Sequence, residues 1–219
     1  MAISRVLVDE LLDDLPQEDP SAQRSRKDLV GLNALMGNFR WVENRIARHG
    51  GRMTKDPSDP LRIVEIGAGE GRLGRRLARR FPRAEILGID RAPAPADAPT
   101  GLSWKQEDLF RALPNCRGDV LVGVLILHHF EEDELRTLQT VWANFRVLYF
   151  AEPWRSSWTL ALAGLANPWV GKVTRHDMPA SIRAGFVPGE LSKYLGLTGW
   201  KVRESIDLRG MLRLEAWRP

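Results

Sequence analysis

LRIVEIGAGEGRLGRRLARRFPRAEILGID, Leu61 to Asp90, is the stretch whose reading decides the fold. Arg62 to Ile66 is an apolar, β-branched run that reads as a strand. Gly67, Ala68, Gly69, Glu70 and Gly71 make a tight turn. Arg72 to Arg80 has helical spacing, and Ala84 to Ile89 is a second apolar run that ends at Asp90. A right-handed crossover lays that second strand beside the first. Gly67 and Gly69 let the backbone turn sharply and approach a ligand without a Cβ in the way. Asp90 follows Gly71 by 19 residues, about where a ribose-binding acid sits in a nucleotide-binding unit.

The glycine spacing selects among nucleotides. A dinucleotide fingerprint, G-x-G-x-x-G, needs its third glycine at position 72, which is Arg72. Here the pattern is Glu65-x-Gly67-x-Gly69-x-Gly71, followed by Asp90. It resembles the first motif and the next strand of class I S-adenosylmethionine-dependent methyltransferases. S-adenosylmethionine (SAM) has no pyrophosphate to cradle; it has an ammonium, a carboxylate, a sulfonium and a ribose diol. The resemblance implies that Glu65 holds the ammonium, directly or through water. Turn N–H groups of Gly67, Ala68, Gly69 and Gly71 meet the carboxylate. Asp90 accepts from the ribose hydroxyls, with Arg91 beside it in the cofactor set.

Composition bounds the rest. The chain has 219 residues, 43% hydrophobic and 27% charged, ordinary for one soluble globular domain with elaborations. A single cysteine, Cys116, excludes an internal disulfide framework and a multi-cysteine metal site. No apolar run reaches membrane-spanning length and the first residues are acidic, so a cytoplasmic protein is the expectation. The formal charge of +4 is too mild and too dispersed to demand nucleic acid. Arg72, Arg75, Arg76, Arg79 and Arg80 read as a solvated helix face.

Along the chain, residues 3–15 read as a short amphipathic helix, broken by Pro16 to Pro20. A second helix is expected from about Lys27 to His49, ended by Gly50 and Gly51. Strands near 62–66, 85–89, 102–106, 119–124 and 146–151 are mostly continuous apolar runs, as in a parallel sheet buried on both faces. The link from Arg91 to Gly101 carries three prolines, Pro93, Pro95 and Pro99, and cannot be a regular helix. Ser157 to Ala166 is helix-like, within a longer stretch, 154–189, that otherwise reads as a loop or lid. A short helix, Gly189 to Leu195, precedes a hairpin of Trp200–Asp207 and Met211–Trp217. The resemblance implies a Rossmann-like α/β fold: a seven-stranded mixed sheet of order 3-2-1-4-5-7-6, its last strand antiparallel. Helices cover both faces. The expected organisation is an N-terminal helical extension or cap, 1–57, before a SAM-binding methyltransferase domain, 58–219.

Three later strand ends supply candidates. In the family, an acid after the third strand receives the adenine amino group and its neighbour packs on the ring; those positions are Asp108 and Leu109. An N-capping role for Asp108 is the plain alternative. Val124 and Leu125 end the fourth strand and are expected near the sulfonium. The following L-H-H-F, Leu127 to Phe130, resembles class I enzymes that methylate quinols, phenols and other small molecules. Adjacent His128 and His129 should diverge on an extended or helical segment, so no metal is expected. Where amino-group methylases of adenine carry D/N-P-P-Y/F, this chain has Gly-Val-Leu-Ile, Gly123 to Ile126. Cys116 stands in the wrong place for a cytosine-C5 nucleophile.

Glu152 ends the fifth strand. Arg175-His176-Asp177, with Ala180 to Leu191 and Asp28 to Trp41, resembles a bacterial subgroup of small-molecule methyltransferases. The expected reaction is in-line methyl transfer to an O or C atom of a small aromatic or quinol-like acceptor, assisted by His176, His128 or Glu152, in that order. Trp154, Trp158 and Trp169 are candidate pocket walls or simple packing residues. An RNA methyltransferase and a non-catalytic SAM-binding protein are the competing readings, and a homodimer stays open.

Overall fold

A computed structural model describes residues 3–16, 18–49 and 59–218. Seven strands form one sheet of order β3-β2-β1-β4-β5-β7-β6. They are β1 (Arg62–Ile66), β2 (Glu85–Asp90), β3 (Leu102–Gln106), β4 (Val120–Val124), β5 (Val147–Pro153), β6 (Lys201–Ile206) and β7 (Met211–Trp217). The first five are parallel, and β7 runs antiparallel between β5 and β6. This is the expected Rossmann-like architecture.

The apolar runs have a physical use at both faces. Along β5, Leu148 and Phe150 enter the core shared with Val64, Ile66 and Leu121, while Val147, Tyr149 and Ala151 join Ile63, Val120 and Val122 opposite. Successive side chains alternate between faces, so a strand covered on both sides must be apolar throughout. The outer strand β6 carries Lys201, Arg203 and Glu204 at its exposed edge, which discourages pairing with another sheet.

The helices are α1 (Leu11–Asp14), α2 (Pro20–Met36), α3 (Asn38–His49), α4 (Arg72–Arg80), α5 (Leu109–Ala112), α6 (Glu132–Thr137), α7 (Ser157–Ala166), α8 (Lys172–Ala184) and α9 (Glu190–Tyr194). The link after Asp90 forms no helix. It folds back on α4, with Trp104 Nε1 donating to Ala92 O and Arg75 paired to Asp97 at 2.6 Å.

Three segments differ from expectation. Only Leu11–Asp14 of residues 3–15 is helical. The remainder is a strap held from outside: Val6 N–H donates to Arg183 O, Arg5 donates to Ala184 O and Phe130 O, and Arg155 donates to Ile3 O. Long-range hydrogen bonds override a weak local helical pattern. The second helix starts earlier, at Pro20 behind the N-cap Asp19, and breaks at Gly37, whose φ is 69°. Gly50, Gly51 and the expected 57/58 boundary lie outside the described residues.

Most of the expected lid is ordered helix. A 3₁₀ turn, Asn167–Trp169, joins α7 to α8, and α8 keeps Pro179 in its interior. A proline there removes one backbone donor, which is why the sequence reads as a break; packing against α1, α2 and α7 keeps the helix intact.

Gly37→Ala should lower the free energy of unfolding by about 1 kcal/mol, because a Cβ is strained in the left-handed region. Urea denaturation checks this; an unchanged midpoint would show that the break between α2 and α3 is unstrained.

Candidate active site

The strand ends converge on one crevice at the carboxyl edge of the sheet, where open α/β sheets bind ligands. The turn after β1 is its floor. Gly67 has φ 62°, and a Cβ there would lie 2.7 Å from Ile126, so only glycine lets the turn pack on the exit of β4. Gly69 has φ 54° and open space where its Cβ would be. Its N–H donates to Asp90 Oδ2 at 2.7 Å, and Ala92 N–H donates to Asp90 Oδ1 at 2.8 Å. Asp90 thus ties the turn to the end of β2. Ala68 is buried and Gly71 opens α4.

Glu65 is buried directly beneath this turn, and its Oε2 has no hydrogen-bond partner. Burial is the main cause that pushes its carboxyl up to about 8; the Gly74 N–H works against the rise and Asp90 adds to it. A buried carboxyl oxygen without a donor is what a ligand ammonium would complete.

The residues expected at the adenine end are arranged differently. Asp108 N-caps α5 through Phe110 N–H at 2.9 Å and pairs with exposed Arg91 at 2.6 Å. The Arg91 guanidinium holds the Asp108 carboxyl below the usual carboxylate range. Leu109 is buried in the core. Neither Asp108 nor Leu109 lines the large cleft; Ala92 to Pro95 and Asp97 of the proline link do.

At the exit of β4 the backbone is strained. Leu125 has φ 56°, the one non-glycine residue with positive φ among those described, a conformation of about 1–3 kcal/mol in cost. A buried acid over-determines it. Glu152 is fully buried; its Oε1 accepts from Ile126 N–H at 3.1 Å and Leu127 N–H at 2.9 Å. Its Oε2 accepts from His128 N–H at 3.4 Å and lies 2.8 Å from His128 Nδ1.

On the other side of that imidazole, Nε2 lies 3.7 Å from Glu10 Oε1, an ion-pair distance. Burial disfavours a charged His128, but the two carboxylates outweigh it and push the pKa up to about 9. His128 is therefore an imidazolium at neutral pH. The two histidines also converge: the 3₁₀ turn Leu127–His129 places their rings 4.3 Å apart at 34°. Burial, followed by the charge on His128, pulls His129 down to about 4, so it is neutral. Asp13 Oδ2 lies 3.9 Å from its Nδ1. Glu10, His128 and His129 each bring one ligand-type atom to within 4.8 Å of the others.

The cleft above these groups has a volume of about 1180 Å³. Glu65, Gly67, Ala68 and Gly69 line its floor, and Val124, Leu125, His128 and His129 line the β4 side. Leu29, Met36 and Phe39 from α2 and α3 face Leu162, Met178, Ile182 and Met211 across it. Glu10, Leu12 and Asp13 of the strap close one side, with Asp177 accepting from Leu11 N–H and Leu12 N–H.

His176 is not part of this wall; its side chain is half exposed, with Nδ1 turned to Asp177 at 2.9 Å. Trp154 pairs with Phe186 outside the lining, and Trp158 and Trp169 are exposed at 48% and 74%. The structure thus joins Glu65, the glycine turn, Val124 and His128 in one cleft, with Asp90 and Glu152 bracing it from behind. It leaves His176 and the tryptophans outside. Glu10, Asp13 and His129 were missed as a group. The doubled histidine was the available signal, whereas nothing local to Glu10 reports a contact 118 residues away.

No protein-family model matches the chain. An uncharacterized methyltransferase of Mycobacterium bovis is 30% identical over 157 residues, covering 58% of this chain and 78% of the relative. A trans-aconitate 2-methyltransferase of Pseudomonas aeruginosa is 31% identical over 81 residues, 35% of this chain and 30% of that enzyme. Among solved structures, the plantazolicin methyltransferase BpumL in complex with SAH superposes with a TM-score of 0.70 at 12% identity, covering 92% of both chains. The magnesium protoporphyrin IX methyltransferase ChlM of Synechocystis PCC 6803 with bound SAM gives 0.58 at 14% identity, over 93% of this chain and 88% of that one.

The sheet order and the glycine turn define a class I SAM-dependent methyltransferase fold. The chain belongs to the methyltransferase family, and S-adenosylmethionine is its cofactor.

Glu152→Gln should destabilise the protein by roughly 3–5 kcal/mol, since it leaves a buried imidazolium without its partner and turns an amide N–H₂ toward backbone donors. The raised pKa of His128 has a signed consequence. Its contribution is full below the unfolded value near 6.5 and is lost as pH rises through about 9. Denaturant titrations from pH 6 to pH 9.5 (roughly the window of the shift) should show a steeper loss for the wild type than for His128→Gln. Parallel curves would refute the buried ion pair.

Proposed function

We propose that this enzyme transfers the methyl group of SAM to an O or C atom of a small, largely apolar, aromatic or quinol-like molecule held in the cleft. The observation that supports this most is the apolar wall of Met36, Phe39, Leu162, Met178 and Ile182 standing beside the glycine turn. A pocket of that kind suits a ring with few polar atoms.

The residues fit the cofactor. Glu65 Oε2, buried and unpartnered, would take the ammonium, and an arriving ammonium would restore the charged form of this raised acid. The open backbone at Gly69 leaves room for a close approach. Each Asp90 oxygen accepts one N–H, which leaves lone pairs for a ribose diol. Bound SAM supplies a methyl carbon made electrophilic by its sulfonium.

The chain's own contribution is alignment and exclusion of water. Val124 and Leu125 line the cleft at the exit of β4. His128 and Glu152 position rather than accept protons, because each is already engaged by the other. His129, neutral and on the cleft wall, is the imidazole placed to take the hydrogen bond of an acceptor hydroxyl. The N-terminal region through α3 acts as a cap over this cleft, and α7 with α8 forms a standing wall in place of a mobile lid. An RNA substrate finds little support. Arg72, Arg75 and Arg76 of α4 are paired to Glu70, Asp97 and Glu43.

Incubation with methyl-labelled SAM and fractionated cell extract should put label into small molecules; label found only in RNA would sink this reading. Glu65→Gln should weaken SAM binding by roughly 10–100-fold while leaving the thermal midpoint of the ligand-free protein equal or higher, because it removes a buried, unpaired acid. Calorimetry and thermal denaturation read the two effects separately. A variant that loses stability and keeps its affinity would assign Glu65 to the fold alone.

A further inference from the structure

Four large apolar side chains of the described residues stand out by exposure, ahead of Val8 at 50%. Leu35, Leu165, Trp169 and Leu208 are 69–81% exposed, and Trp158 is 48% exposed. Leu35 and Leu208 line the cleft, and Trp158, Leu165 and Trp169 stand on or just after α7, whose Leu162 and Ala166 also line it. Trp158 Nε1 donates to Leu208 O, Arg209 Nη1 donates to Leu35 O, and Arg24 Nη2 donates to Trp169 O. Helices α2 and α7 both pack on α8. The cleft passes between them, lined by Leu29 and Leu32 on one side and Leu162 and Ala166 on the other.

Helix α7, SWTLALAGLA, carries no charged residue. Trp158, Leu162, Leu165 and then Trp169 recur at helical spacing, and three of these four are exposed. A helix apolar on its outer face is unusual in water and marks a surface with a partner.

The charge around this face leans basic. Segments 18–37, 157–177 and 207–210 carry six basic residues, Arg24, Arg26, Lys27, Lys172, Arg175 and Arg209, and five acids, of which Asp19 caps α2, Asp177 holds the strap and Glu18 is exposed. Asp28 is buried and paired with Arg24 at 3.0 Å, and Asp207 next to the patch is turned inward to Arg213 at 2.9 Å. Exposed tryptophan and leucine flanked by lysine and arginine is the composition that lies on an anionic lipid interface.

We propose that this face docks on an anionic lipid bilayer, so that the acceptor enters the cleft from the membrane and is itself lipophilic. The docking rests on the surface alone; the clause about the acceptor rests on the reading of the cleft given above. Tryptophan rings sit at headgroup depth with the N–H end satisfied, as Trp158 Nε1 already is. The mouth between α2 and α7 then faces the acyl chains, and an apolar acceptor moves into the cleft without crossing water.

The test is cosedimentation of the full chain with phosphatidylcholine vesicles and with vesicles that also contain phosphatidylglycerol. Binding is expected for the anionic vesicles, weaker for the neutral ones, and falling with added salt. Tryptophan emission should shift to the blue on binding. The double variant Trp169→Ser/Leu165→Ser, both outside the cleft lining, should lose about tenfold or more in vesicle partitioning and bind SAM as the wild type does.

Absence of binding to either vesicle would overturn the proposal. So would a concentration-dependent dimer that the double variant abolishes, since the face would then belong to a second copy of the chain. Vesicle binding together with failed SAM binding would instead sink the cofactor reading and leave the docking intact.

Discussion

The buried carboxylate of Glu152 is the constraint on which both halves of the cleft depend. It stands at the carboxyl end of β5, the neighbour of β4, and gathers the N–H groups of three consecutive residues, Ile126, Leu127 and His128, together with one imidazole nitrogen. Three donors from one turn fix the path of the chain as it leaves the sheet. That path forces Leu125 into the left-handed region and lays Ile126 against the bare backbone of Gly67. The strain at Leu125 persists because the turn behind it is over-determined. One acid therefore sets the distance between the glycine turn and the β4 side of the cleft.

The same group reaches the N-terminus through His128. A charged imidazole needs a second carboxylate, and Glu10 supplies it from a segment that enters from outside the sheet. Glu10 is also held by Ser181, and its neighbours Leu11 and Leu12 by Asp177. The strap is thus closed over the cleft by the chemistry of the β4 exit, and it carries no regular structure for most of its length. Glu65 makes the contrasting case. Both acids are almost wholly buried, but Glu152 meets several donors while one oxygen of Glu65 meets none. In a low-dielectric site the first arrangement is structural, and the second waits for a cation.

How much of this was legible in the sequence follows from the range of the interactions involved. The β1–turn–α4–β2 unit is encoded locally, by alternation, by glycine at each tight position and by Asp90 at a strand end, so it reads directly. The sheet order followed from resemblance and was observed. The strap was misread because its apolar spacing is local and weak, while what holds it, Arg5, Arg155 and Asp177, lies more than a hundred residues from its contacts. Pro179 concealed α8 because a breaker's cost is visible in sequence and the packing that offsets it is not. His128 and Glu152 were identifiable by position as residues facing the crevice. Their pairing, which turns two candidate bases into one fixed ion pair, depends on burial that no pattern reports.

That pairing divides the cleft by function. Its polar side, from Glu10 through the histidines to Glu65, is built of groups already committed to one another or, at Glu65, short of one partner. Glu10, His128 and Glu152 cannot rearrange without breaking a contact within their buried cluster. The apolar side, between α2 and α7, is built of leucines, methionines and a phenylalanine without directional contacts. Such a wall recognises size and hydrophobicity and tolerates variation in outline. Rigidity therefore resides with the polar side of the cleft and latitude with the apolar side. Leu162 and Ala166 of α7 line the cleft, while Leu165 of the same helix and Trp169 just after it are exposed on the surface. Charged groups, among them Glu10, Asp13, Arg26, Lys27, Asp97 and Arg209, also line the cleft, so the apolar stretch between α2 and α7 is one sector of a mixed lining.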